Sequence, residues 1–101
     1  MNKANSPSFD DDNAKILTPH KYVVSRMVGD LALILDPTRD EIRQLNEVGT
    51  FIWSMILKSQ YTRDEVLHAL IETFDISSDV ASSDLEEFLN DLDSISLIQL
   101  G

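Results

Sequence analysis

At Asn46 the spacing of the apolar residues changes, and this change constrains the fold more than any other feature of the chain. Ahead of Asn46 the apolar residues come in short runs: Tyr22, Val23 and Val24 within residues 21–27, then Leu31-Ala32-Leu33-Ile34-Leu35. Behind it, Val48, Phe51, Ile52, Met55 and Ile56 recur at i, i+3, i+4, i+7 and i+8, the spacing of one helical face. Strands first and helices afterwards predict an α+β domain, in which one face of a small antiparallel sheet packs on helices.

Turn chemistry divides the first half. Val28-Gly29-Asp30 and Asp36-Pro37-Thr38 bound the second apolar run. Proline presets φ in a turn, and an aspartate side chain accepts backbone hydrogen bonds there. A third strand is predicted from Asp40 to Leu45, where Glu41, Arg43 and Gln44 interrupt the apolar residues, as expected at a half-covered sheet edge.

Three helices follow. Asn46 is a good N-cap for a first helix reaching about Lys58. Thr62 and Glu65 form a capping-box pattern ahead of the stripe Val66, Leu67, Leu70, Ile71 and Phe74. Leu85, Phe88, Leu89 and Leu92 mark a third helix, predicted at 79–95. Leu97, Ile98 and Leu100 add a short extended tail that closes the core. The chain is thus expected as three strands followed by three helices in one domain at 16–101, behind a disordered acidic tail at 1–15 carrying Asp10, Asp11 and Asp12.

Several chemistries lack their residues. There is no cysteine, so no disulfide or thiolate chemistry is available, which fits a cytoplasmic setting. His20 and His68 each lack a second ligand at zinc-site spacing, and the aspartate run lacks the glycine and glutamate of a calcium loop. No metal or cofactor is expected. Three glycines cannot build a phosphate-cradling loop, and no serine sits in a nucleophile elbow. Asp93-Ser94-Ile95 resembles an acyl-carrier attachment motif, but no helical bundle follows it. A net charge of −10 opposes nucleic acid and anionic membrane surfaces, and no run is long and apolar enough to span a membrane.

The most specific signal is Leu45-Asn46-Glu47-Val48-Gly49 followed by Ile52-Trp53, which resembles the central motif of PqqD-like proteins. Tyr61-Thr62 to Phe74 resembles that family's second helix, and Asp84-Leu85, Phe88-Leu89 and Leu92 its third, so the resemblance covers about Tyr22 to Leu100. It implies a winged helix-turn-helix-like fold that serves as a RiPP recognition element and is not an enzyme. In that family a leader peptide adds to the third strand, and the third helix forms the other wall of the groove.

Carried onto this chain, the resemblance implies an edge at Asp40, Glu41, Ile42, Arg43, Gln44 and Leu45 and a helical wall of Asp84, Leu85, Phe88, Leu89 and Leu92, some of which must face the core. Phe88 shares the stripe of Leu85 and Leu92, which favours the core for its ring. The implied partners are a precursor leader peptide and a modifying enzyme such as a protease, cyclase or radical-SAM enzyme, in a lasso-type or related peptide pathway. The rival readings are a winged-helix transcription regulator and a general protein-interaction adaptor. Asp79, Asp84, Glu86, Glu87, Asp91 and Asp93 crowd the third helix and repel DNA phosphates.

Overall fold

The computed structural model describes residues 15–99, so the expected acidic tail lies, but for Lys15, outside the described residues, as does Leu100. The order of elements is β1 (Thr18–Pro19), β2 (Ser25–Val28), β3 (Leu31–Asp36), β4 (Glu41–Gln44), α1 (Glu47–Leu57), α2 (Arg63–Phe74), α3 (Ser78–Ser94) and β5 (Ile98–Gln99). β2, β3 and β4 form an antiparallel sheet in that order, and three helices follow it, the α+β arrangement expected.

Each turn follows from its residues. Gly29 supplies φ +64° in the two-residue loop between β2 and β3, a conformation that glycine adopts without steric cost. At the end of β3, Asp36 Oδ1 accepts from the Thr38 N–H at 2.9 Å and from the Thr38 hydroxyl at 2.6 Å, closing the turn around Pro37.

The caps are equally local. Asn46 Oδ1 accepts from the Gly49 N–H at 2.8 Å and starts α1. Thr62 and Glu65 exchange both hydrogen bonds of a capping box at α2, and Ser77 Oγ accepts from the Val80 N–H at α3. Such caps contribute about 1 kcal/mol each.

Two strand expectations change. The strand predicted at residues 21–27 begins at Ser25 instead: the Val23 N–H bonds the His20 carbonyl and the Tyr22 N–H bonds His20 Nδ1, so a turn overrides the β propensity of Tyr22-Val23-Val24. The second concerns β1, which no pattern predicted. It pairs antiparallel with β5 through Thr18–Gln99 and Pro19–Ile98, tying the two ends of the described chain together.

The core lies between the sheet and the helices. Ala32 and Ile34 point inward from β3, and Ile52, Trp53 and Ile56 meet them from α1. Val66 and Leu70 of α2, and Ala81, Leu85, Leu89 and Leu92 of α3, complete it with Leu17, Leu97 and Ile98. Burying a large apolar side chain stabilises by roughly 1.5–3 kcal/mol, so this cluster dominates the fold. Phe51 and Phe74 add an edge-to-face contact at 5.4 Å between α1 and α2. A hydrogen bond from the Ala32 N–H to Thr50 Oγ1, 3.0 Å long and buried, fastens β3 to α1.

Candidate functional site

β4 has β3 on one side and, among the described residues, no strand on the other. The Leu45 N–H donates to the Ala32 carbonyl at 2.9 Å, which makes these two a hydrogen-bonded pair. Such pairs alternate along an antiparallel ladder, and the register matches Arg43 with Ile34 and Glu41 with Asp36. The amides of Glu41, Arg43 and Leu45 are therefore turned inward to β3. Those of Ile42 and Gln44 point out of the sheet, in the plane of its open edge.

The side chains of β4 alternate between the two faces. Arg43 stands opposite buried Ile34, on the face covered by helices, with Glu41 and Leu45 on the same side. Ile42 stands opposite Leu35 on the uncovered face and is 68% exposed.

On the covered side, β4 and the start of α1 face α3 across a groove. One end is a cleft of about 410 Å³ lined by Asn46, Val48, Gly49, Ile52, Asp84, Glu87, Phe88 and Asp91. The other, about 180 Å³, is lined by Asp36, Arg39, Glu41, Arg43, Asp91, Ser94 and Ile95. The Glu41 end of β4 thus lies by the C-terminal end of α3, and the two elements run in opposite senses.

Between the compartments, Arg43 Nη2 donates to Asp91 Oδ2 at 2.7 Å. Arg63 and Glu86 form a second ion pair, from α2 to α3. In the smaller compartment the Thr38 hydroxyl, helped by backbone N–H groups, holds the Asp36 carboxyl below its usual range against the opposing effect of burial.

The eleven expected site residues divide. Asp40, Glu41, Ile42, Arg43, Gln44 and Leu45 form the β4 strand and its flanks, with Asp40 in a left-handed turn conformation at φ +53°. Asp84 and Phe88 line the cleft. Leu85, Leu89 and Leu92 do not: each is 1% exposed, and their side chains are committed to the core.

The reason is angular. Ala81, Leu85, Leu89 and Leu92 form one stripe of α3, and Asp84, Phe88 and Asp91 form the neighbouring one, at i, i+4 and i+7. Phe88 is half-buried, against the core on one side and the cleft on the other. A Cβ at Gly49 would lie 3.2 Å from its Cε1, so glycine permits the close approach of α1.

Sequence reasoning missed Glu87 and Asp91 as lining residues, and treated Asn46, Val48, Gly49 and Ile52 only as cap and core. The 84, 88, 91 spacing was the available signal for Asp91.

Among the described residues no group of three His, Asp or Glu side chains could hold a metal ion, and no helix is long and apolar enough to cross a membrane. The groove offers main-chain donors and acceptors, an apolar floor and carboxylates, which suit a bound extended chain.

None of the curated proteins matches the chain significantly. The solved structure of TbiB1 in complex with the TbiA(beta) leader peptide is similar in fold, with a TM-score of 0.72 and 23% sequence identity over 81% of this chain and 94% of that one. The family model for PqqD, coenzyme PQQ synthesis protein D, matches residues 32–98, from the middle strand through the last helix to β5. The chain belongs to the PqqD family.

Proposed function

We propose that this protein binds the leader peptide of a ribosomally synthesised precursor as an added antiparallel strand on β4 and presents it to a modifying enzyme such as a protease, cyclase or radical-SAM enzyme. The observation that carries this reading is the edge of β4 that no strand covers among the described residues, where the Ile42 and Gln44 amides face outward beside the groove under α3. An exposed strand edge is a ready template for another chain: main-chain hydrogen bonds supply affinity, and side-chain pockets supply selectivity. Family membership and the likeness to a leader-bound structure support it.

In this reading Asp40, Glu41, Ile42, Arg43, Gln44 and Leu45 form the receiving edge, and Asp84 and Phe88 the helical wall. The protein acts by binding in the cytoplasm, without a metal or cofactor, and carries out no reaction itself. DNA binding is disfavoured by the acidic residues exposed on α3.

The test is isothermal titration with the leader of the precursor encoded beside this reading frame, with and without a chelator. Saturable binding that is unchanged by chelation is expected. No heat with any neighbouring precursor would overturn the proposal.

A further inference from the structure

The groove is asymmetric in charge, and its asymmetry specifies a peptide. Residues 46–99 hold eleven acidic residues against two basic ones, Lys58 and Arg63, and Arg63 already pairs with Glu86. Within the larger cleft Asp91 is matched by Arg43, whereas Asp84 and Glu87 are exposed and have no ion-pair partner among the described residues. Between them and Arg43 lies Phe88, with Val48 and Ile52 beside it.

The spacing suits an extended chain. Asp84 and Phe88 stand four residues apart on α3, a rise of about 6 Å. Side chains on one face of a strand recur every second residue, about 6.6 Å apart. A peptide lying along α3 with one side chain over Phe88 therefore places the next side chain on that face at Asp84. Its direction follows as well. β4 runs opposite to α3, so a strand antiparallel to β4 runs with α3 and enters at the Asp84 end.

Resting on the strand-addition reading, we infer that the groove selects peptides in which lysine or arginine stands two positions before a large apolar residue: the cation meets Asp84 and Glu87, and the apolar side chain covers Phe88, Val48 and Ile52. An acidic residue at the first position is repelled by both carboxylates. The attraction is exposed and salt-screened, so it tunes affinity over a main-chain contribution common to all sequences.

The experiment selects a displayed library of random dodecapeptides on the full chain. A synthetic copy of a selected peptide is then measured against wild type, Asp84→Asn with Glu87→Gln, Asp84→Lys and Ile42→Pro, each checked for folding by circular dichroism. Basic residues should be enriched two positions before a large apolar one. Affinity should fall about fivefold to tenfold in the neutralised double variant and similarly between 50 and 500 mM salt. Asp84→Lys should prefer the peptide with glutamate in place of the basic residue, a reversal that a merely destabilised variant would not produce.

Selected peptides without that basic position, still dependent on Ile42, would overturn the charge inference and leave strand addition standing. Peptides bound equally by Ile42→Pro would overturn the strand-addition reading and the inference together.

Discussion

Arg43 and Asp91 join the two walls of the groove: the guanidinium of the strand residue donates to the carboxylate of the helix residue at 2.7 Å. Their side chains are 35% and 49% exposed, so water screens the pair and its contribution is small. A double-mutant cycle with Arg43→Met and Asp91→Asn, measured by urea denaturation, should give a coupling of about 0.2–1 kcal/mol that shrinks in 1 M salt. A coupling of several kcal/mol would mean that the pair is a structural anchor.

Proline separates the two sides of β4. The Arg43 N–H faces β3, so Arg43→Pro removes a ladder bond, leaves the facing carbonyl without its donor and should destabilise the domain by about 1–3 kcal/mol. The Ile42 N–H faces outward, so Ile42→Pro should leave the melting temperature nearly unchanged while weakening leader binding at least tenfold. Calorimetry and leader titration on the two variants check both halves, and normal binding by folded Ile42→Pro would exclude strand addition at this edge.

Phe88→Ala should affect both stability and binding. Because the ring is half-buried, its removal should cost about 2 kcal/mol, below the roughly 3–5 kcal/mol of a fully buried ring. Leader affinity should fall further than partial unfolding explains, which titration at a temperature where the variant is fully folded would reveal.

Thr50→Val tests the link between sheet and first helix. It removes the acceptor of the Ala32 N–H and leaves that donor buried without a partner, at a cost of about 1–3 kcal/mol. Thr50→Ser keeps the oxygen and should recover most of the loss. Equal urea midpoints for wild type and Thr50→Val would show that water replaces the bond.

The depressed Asp36 carboxyl predicts acid sensitivity. A carboxylate whose folded pKa lies below its unfolded value stabilises the fold above the unfolded pKa, about 3.9, and that contribution is lost as pH falls through the folded pKa. Thr38→Val removes the principal cause of the depression, the Thr38 hydroxyl. The variant should therefore be less stable than wild type at neutral pH, and its stability should fall less steeply below about pH 4. Parallel slopes in that window would argue against the Asp36–Thr38 contact as the cause.

Local patterns were legible wherever local physics decides. The caps at Asn46 and Thr62 and the turns at Gly29 and Asp36 depend on residues within one turn of one another, and each stands where its pattern placed it. The strand expected over residues 21–27 starts only at Ser25 because His20 offers both its carbonyl and its ring nitrogen to a competing turn.

The sequence by itself determined the order of the three sheet strands and the three helices, the charge of the third helix and, through the motif at Leu45 to Trp53, the family. It could not determine which of two neighbouring stripes on α3 turns inward, because Leu85 and Phe88 are both apolar and lie about one helical turn apart. Packing against α1 and the sheet decided that, burying Leu85, Leu89 and Leu92 and leaving Phe88 with Asp84 and Asp91 along the groove. The tertiary structure also decided which β4 amides face outward. Alternation along a strand is known from its period, but its phase is set only by register, and register comes from the pairing of Leu45 with Ala32, two residues brought together by the fold.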